Sequence, residues 1–488
     1  MLYLLLLIPA LTAVFCFLPL NPWWWERFNI VGSLLTGTAA LYISLKALQA
    51  REAEWQGSFL VVDELSAVLV FIIGVVGTVC CLYTVTYLRT DQKNREIESR
   101  KIGWFFGLLQ LFVGTMYLAV LADNLGVMWV AIEGTTIVSA LLVGFYGTRA
   151  SLEAAWKYII ICTVGITFAM LGIILTFHAA RGVLGTGDIS LSWRSLYPVA
   201  ASLDPNLMKL AFVFVLVGYG TKAGLFPMHT WLPDAHSQAP SPVSALLSGV
   251  LLNCAVYAII RFHLLVSATG GFSGSILVVF GMMSMAGALP FILVQKDIKR
   301  LLAYSSVEHM GIIVLGVGMG GTLGYAGALL HMVNHALGKS VLFLSAGTLA
   351  QSYHSKLIPR IKGIGQLLPI TSTIFMASLL AIGGAPPFGL FISELNVATR
   401  GFEAGRPLLG FVFLMVVAVV FTGMIYFAGK MYFSDLPSRY PRGERFSATH
   451  VLILLPVCLL VFQGVYMPWN VQHMLYKVVN YMIAGGVN

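Results

Sequence analysis

"GYGTKAGLFPMHTWLPDAHSQAPSP", residues 218–242, interrupts one of the longest apolar stretches of the chain. "KLAFVFVLV" precedes it and "VSALLSGVLLNCAVYAIIRF" follows it, and both read as membrane helix. Between them the chain carries Lys222, breaks at Pro227 and continues into His229, Asp234 and His236. A charged side chain at the bilayer centre costs at least about 2.5–3.5 kcal/mol. A segment that keeps such residues in hydrocarbon must offset that cost with a partner or with water. Either way it marks a site.

Outward from this stretch the chain is apolar almost throughout. Hydrophobic residues make up 58% of its 488 positions and charged ones 10%, against roughly 25% charged in soluble domains. The fold class is therefore an all-α polytopic membrane protein with about fourteen transmembrane helices. The spans are expected near 2–20, 28–48, 65–87, 104–121, 125–146, 156–178, 209–226, 242–265, 274–294, 299–319, 323–350, 369–399, 407–429 and 449–468. The first run has no basic leader and no small-residue cleavage site, so it reads as a retained span. Cys16, Cys80, Cys81, Cys162, Cys254 and Cys458 all fall in apolar segments and form no C-x-x-C. They read as small packing residues; neither an iron–sulfur nor a zinc site is expected.

The loops are short, so their basic residues report orientation. Odd-numbered loops hold about twice as many Lys and Arg as even-numbered loops and tail, with "RTDQKNREIESRK" the densest cluster. This predicts cytoplasmic odd loops and both termini on the periplasmic or exterior side. The net charge of +9 is then a topology signal; no nucleic acid is expected, because the basic clusters lack interleaved aromatics. Two motifs are decoys. "GVGMGG" at 316–321 fits G-x-G-x-x-G but joins two membrane spans, where glycine permits a tight turn. "HMVNH" has metal-like spacing without the glutamate of H-E-x-x-H, and no metal is expected there.

Five ionisable side chains remain near mid-membrane: Glu133, Lys222, Glu308, Lys339 and Glu394. His229, His309, His331 and His335 lie at similar depth. Isolated charges of this kind are as often structural ion pairs as pathways, but a series of acids, bases and histidines over several helices favours a proton pathway. His331, His335 and Lys339 are successive i, i+4 positions, which puts them on one helix face. Two spans are interrupted, the seventh at "TKAGLFP" and the twelfth at "GGAPPFGLFISE". Broken helices at matching places in two halves point to an inverted repeat. Spans four to eight and nine to thirteen would be the two five-helix repeats. The expected units are 1–103, 104–265, 266–430 and 431–488.

"TKAGLFPMHTWLPDAHSQAPSPVSALLSGVLLN", "DIKRLLAYSSVEHMG" and "LLHMVNHALGKSVLFLSAGTL" resemble the antiporter-like subunits of respiratory complex I and the large Mrp antiporter subunits. More narrowly, "AIEGTTIVSALLVGFYGTRASLEAAWKYIIICTVG" is similar to component F of hydrogenase-4, found in formate hydrogenlyase-type complexes. The resemblance runs from about residue 60 to 430. It implies fourteen spans with two inverted five-helix repeats, and proton translocation driven by redox chemistry in neighbouring subunits. It implies that Glu133 and Lys222 form an ion pair whose opening and closing gates proton uptake. It makes Lys339, preceded by His331 and His335, the eleventh-helix relay lysine, with His309 beside it and Glu394 as the exit-side group. His229, Asp234, His236 and Glu308 are supporting residues.

One departure stands out. The family's eighth helix commonly has a lysine in "GILLK", where this chain has "GVLLN" and Asn253. Asparagine orients water but holds no excess proton. The central relay would then use water with His309, His335 or Lys339. The chain also ends about twenty residues after its last expected span, so the long lateral helix of the largest complex I subunit is not expected.

The resemblance places no cofactor in this chain, with iron–sulfur and NiFe centres in partner subunits. Partners would be other membrane-arm subunits, a peripheral redox arm and membrane lipid, in the inner (cytoplasmic) membrane, with protons as the transported species. Two alternatives use the same residues: a stand-alone or Mrp-type Na⁺(K⁺)/H⁺ antiporter, and a structural adaptor with a broken relay. A sodium site needs converging oxygens, and Glu133, Glu308 and Glu394 are far apart in sequence.

Overall fold

The computed structural model describes residues 1–49, 59–94, 98–185, 187–438, 440 and 442–484. Arg95, in the basic loop expected on the cytoplasmic side, and the last residues to Asn488 lie outside these. α1 (Leu4–Phe17), α2 (Pro22–Gln49), α3 (Glu64–Lys93), α4 (Ser99–Leu121), α5 (Leu125–Val143) and α6 (Arg149–Leu184) come first. A short α7 (Trp193–Leu196) precedes α8 (Pro205–Ala223) and α9 (Trp231–Gln238). α10 (Ser241–Leu246) and α11 (Leu252–Ser267) are joined into one rod by a π-helical turn at Leu247–Leu251. α12 (Phe272–Val294), α13 (Ile298–Met319) and α14 (Gly321–Tyr353) follow, then a short α15 (Ile364–Leu367), α16 (Pro369–Ile382) and α17 (Gly389–Glu403). α18 (Pro407–Phe433), α19 (Ala448–Val465) and α20 (Trp469–Ala484) come last. Among the described residues β-structure is limited to isolated bridges such as Leu60–Ala122. The expected all-α membrane class holds.

Local chemistry fixes where the helices start. Asp63 and Ser66 form a reciprocal capping box on α3, each side chain accepting from the other's amide at 2.9 Å. Asn124 caps α5, and Asp297 caps α13. Asp204 caps α8, whose first residue is Pro205. These ends carry carboxylates and amides because four amides at each helix start have no partner within the helix.

Ten helices among the described residues are long and apolar enough to cross a bilayer, and α1 and α16 are shorter apolar helices. The expected first span is the short α1, and the expected seventh, eleventh and twelfth spans also fall outside that ten. In the seventh and eleventh, polar cargo lowers the mean hydropathy: Lys209 and Lys222 in α8, and two histidines, Asn334 and Lys339 in α14. The twelfth is split between α16 and α17. Both expected interruptions are present. α8 ends at Gly224, and α16 is followed by Gly384; each has φ +72°, a conformation that costs glycine little. Phe226–Pro227 and Pro386–Pro387 are cis. The glycine motif at 316–321 is a helix–helix turn, as expected, with Gly320 and Gly321 at φ +58° and +70°.

The interior of the bundle is polar-bearing helix wrapped by apolar helix. The Ser241–Ser267 rod is wholly buried along its apolar window, and α13 is 94% buried, whereas α19 is only 28% buried. Close backbone approach brings these rods together: a Cβ at Gly311 would stand 2.7 Å from the Gly281 carbonyl, so α12 and α13 touch backbone to backbone. The segment after the last span is not a plain tail. It forms α20, whose Tyr481 hydroxyl donates to Asp63 at 2.8 Å and accepts from Trp193 Nε1 at 2.9 Å.

Candidate functional site

The Lys222 end of the site is built by three helices. Lys222, the penultimate residue of α8, is fully buried. Its Nζ donates to Thr136 Oγ1 of α5 at 2.8 Å and to Tyr158 OH of α6 at 2.6 Å. It also stands 4.7 Å from the Tyr158 ring centroid. Tyr158 shares a hydrogen bond with Ser139 at 2.7 Å and stacks on Trp231, whose Nε1 donates to the Thr221 carbonyl. The break is therefore stitched to the helix that carries the lysine.

The expected direct pair with Glu133 is not formed. Glu133 Oε1 accepts from Thr163 Oγ1 of α6 at 2.9 Å, while Oε2 is buried with no hydrogen-bond partner. Thr136 lies one turn further along α5, and it and Tyr158 take the ammonium's hydrogen bonds in place of the carboxylate. Two hydroxyls take two of the ammonium's three donors without pulling a second charge out of its half-exposed position.

The second part lies between α13, α14 and α17. Lys339 Nζ donates to the Leu302 carbonyl at 3.0 Å and to Ser305. One turn back, His335 is fully buried with both ring nitrogens unpartnered, its ring 5.3 Å from that of His309. His309 Nδ1 and His331 Nε2 share a hydrogen bond at 2.9 Å, and His331 Nδ1 reaches Ser393 Oγ at 2.9 Å. Glu308 Oε2 is 3.6 Å from His309 Nδ1. Glu394 is buried beside them, with donor atoms of His309, His331 and Glu394 all within 4.8 Å of one another. The Glu394 carboxylate packs against Gly384, and Asn334 against Gly389, so both side chains face the second break.

Chemically, such an arrangement is able to pass protons. Imidazoles linked nitrogen to nitrogen pass a proton by exchanging donor and acceptor roles. His309 Nε2, both His335 nitrogens, Glu308 Oε2, Glu394 Oε1 and the Asn334 amide lack protein partners. Buried polar atoms seldom go unsatisfied, so these are positions for bridging water. Asn253 sits between the halves: Nδ2 donates to Gly249 at 2.8 Å and Met332 at 3.3 Å, leaving Oδ1 without a partner. The three clustered donors are also a ligand set of the kind a metal takes, whereas "HMVNH" puts only His331 of its two histidines in that group.

The supporting residues divide. His229 stacks on Phe226 near the first break, and His236 stacks on Phe343 with both nitrogens unpartnered. Asp234 instead pairs with Arg300 at 3.0 Å and Lys157 at 3.4 Å, a half-exposed network. Several buried polar centres escaped sequence reasoning, among them those at Arg261, Lys299 and His263. Arg261 pairs with Asp63 at 2.5 Å, well inside the protein. Burial raises the Asp63 pKa, but the charge and hydrogen bonds of Arg261 outweigh it and hold the carboxyl below its ordinary range. Lys299 is buried and donates to the Ala239 carbonyl at 2.5 Å. His263 is buried between Ser273 and Tyr325. The only signal was that Arg261 and His263 fall inside the expected eighth span.

Comparison with known proteins agrees with this picture. The profile of a family described as NADH:quinone oxidoreductase/Mrp antiporter, transmembrane, matches residues 122–422. The chain is 38% identical over 448 residues to a hydrogenase-4 component F homolog of Methylacidiphilum infernorum, covering 90% of this chain and 91% of the other. It is 32% identical over 394 residues to NADH-quinone oxidoreductase subunit N of Desulforudis audaxviator, covering 80% and 75%. A chain of respiratory complex I from Thermus thermophilus superposes over 100% of both chains with a TM-score of 0.84 at 23% identity, a likeness of fold.

Proposed function

The chain belongs to the NADH:quinone oxidoreductase/Mrp antiporter family as an antiporter-like membrane subunit of the hydrogenase-4 and complex I kind, and on that premise we propose that it carries protons through a buried relay. Protons enter near Glu133 and Lys222, cross by water held at Asn253 to Lys339 and His335, and reach Glu394 through His309 and His331. The observation that supports this best is the imidazole-to-imidazole hydrogen bond at 2.9 Å beside a buried, half-unpartnered glutamate. The Lys222 ammonium resting on hydroxyls is the open state of a gate whose closed state pairs it with Glu133.

The fold is read as fourteen spans in two inverted repeats, 104–265 and 266–430. Each has its fourth span interrupted at a glycine of φ +72°, and each carries an ionisable residue beside the break. The units 1–103 and 431–488 flank them. Odd-numbered loops face the cytoplasm and both termini the periplasm, in the inner membrane. The driving energy comes from partner subunits that hold the iron–sulfur and NiFe centres. Sodium–proton exchange draws less support, because the donors around Glu394 are imidazole nitrogens and sodium favours converging oxygens.

The test is redox-driven proton uptake into sealed vesicles holding the whole complex, normalised to assembled protein. Lys222→Arg and Lys339→Arg keep the charge, but guanidinium does not release its proton. Both variants assemble and lose uptake. Native uptake with either arginine makes that lysine a structural counter-ion and refutes the relay through it.

A further inference from the structure

A cavity of about 410 Å³ opens on the face that carries residues 267–275, 320 and 404–406. Its rim is exposed at Gly271, Ser275 and Arg406, and its floor is the buried trio His263, Ser273 and Tyr325. His263 Nδ1 meets Ser273 at 3.0 Å, and Nε2 meets the Tyr325 hydroxyl at 3.3 Å. Two helices run from this cavity to the relay. α14 carries Tyr325 and then His331; α17 carries Arg400 and, six residues earlier, Glu394. At 1.5 Å per residue that is about 9 Å along the helix.

On α17 an apolar side chain lies between Arg400 of the cavity wall and Glu394. Val397, 1% exposed, lies on α17 one turn beyond Glu394 and one turn before Arg400. The facing helices are stripped to glycine around it: a Cβ at Gly316 would come 3.2 Å from Val397 Cγ2, and one at Gly327 only 2.8 Å. The Gly327 Cβ would also stand 3.1 Å from the Ser393 carbonyl, directly beside the relay. Arg400 lines the cavity wall, donating from Nε to the Gly320 carbonyl at 2.9 Å and the Met319 carbonyl at 3.3 Å.

We propose that this cavity is the aqueous mouth through which Glu394 exchanges protons with that face, and that Val397 is the apolar plug that closes it. Single apolar constrictions gate water and protons by staying dry. The glycines on either side let the facing backbones close directly on Val397, so the plug is tightly seated and the closed form is the one seen. His263, with its two hydroxyl partners, receives the proton on the far side of the plug. This rests on the relay reading of Glu394.

The experiment uses the assembled complex in sealed vesicles without electron donor, with proton influx followed under an imposed membrane potential. Val397→Ser wets the plug and raises the leak about tenfold; adding Glu394→Gln returns it to the native level. A native leak in Val397→Ser, or a raised leak that survives Glu394→Gln, overturns the proposal. A second measurement does not touch the plug. Ser275→Cys on the rim is reacted with a bulky, membrane-impermeant thiol reagent, against the unsubstituted chain as control. Redox-driven translocation falls severalfold on labelling and recovers when the label is reduced off; unchanged translocation overturns the mouth. Native pumping by Glu394→Gln alone sinks the relay reading itself. Lost pumping in that variant, without leak or labelling effects, sinks only mouth and plug.

Discussion

Replacing Lys222 should leave stability near native and replacing its partner Tyr158 should lower it, while both impair function. The ammonium makes two hydrogen bonds, at 2.8 Å to Thr136 and 2.6 Å to Tyr158, in a fully buried position. Hydrogen bonds to a charged group contribute about 1.5–3 kcal/mol each, so the pair contributes about 3–6 kcal/mol. Burying the charge costs several kcal/mol in the other direction. Lys222→Met removes both terms and nearly balances, while methionine fills the same volume. Tyr158→Phe keeps the buried charge and deletes one of its two bonds, for a loss of about 1.5–3 kcal/mol. The double variant should be no less stable than Lys222→Met alone, because the deleted hydroxyl has lost the charge it served. The assay is the fraction of complex still assembled after a graded heat challenge, read by size exclusion, with proton uptake measured on the unheated sample. Lys222→Met is expected to match the native heat curve with uptake lost; Tyr158→Phe is expected to shift to lower temperature with uptake reduced. A Lys222→Met complex less stable than Tyr158→Phe would mean the charge is stabilising through Glu133 after all, and the open-gate account would be wrong.

Asp63→Ala leaves Arg261 buried without its partner and should cost about 3–5 kcal/mol, seen as loss of assembled complex, whereas Tyr481→Phe should cost about 1 kcal/mol and leave assembly intact. Asn253→Leu should dry the centre of the path and abolish redox-driven uptake with assembly retained; Asn253→Lys should keep uptake, and unchanged uptake in the leucine variant would place the path elsewhere. Gly384→Ala puts a Cβ into the Glu394 carboxylate at φ +72° and should cut uptake at least as far as Glu394→Gln; uptake near native would show that Glu394 is free to move without loss. Cysteines at Glu98 and Gly271 should react with an impermeant reagent from opposite sides of the membrane, and labelling from one side would refute the orientation read from loop charge.

What was legible in the sequence is what periodicity and cost can carry. A lysine in an apolar run is conspicuous because hydrocarbon makes it expensive, so Lys222, Lys339, Glu308 and Glu394 were found, and each is buried. The i, i+4 series His331, His335, Lys339 follows from helix geometry alone, and it does line one face of α14. Partners were harder. Lys222 meets Thr136 and Tyr158 because α5 and α6 cross α8 at a particular height, and crossing heights leave no mark in one chain's spacing. Neutral hydroxyls carry no such cost, so nothing in the sequence distinguishes these two from the many Thr and Tyr that only pack. Arg261 and His263 were hidden for the opposite reason. Both lie within the last two turns of the Ser241–Ser267 rod, where a basic side chain ordinarily reaches the interface and needs no explanation. Arg261 is buried because α20 and the loop helices near Trp193 cover that end, with Tyr481 bonded to Asp63 and Trp193 stacked under its guanidinium at 4.5 Å, and His263 because Ser273 of α12 and Tyr325 of α14 flank it. α20 buries Val478, Val479 and Met482 and carries Tyr481 onto this polar cluster. The covering helix and the buried charges explain each other; neither was visible without the other.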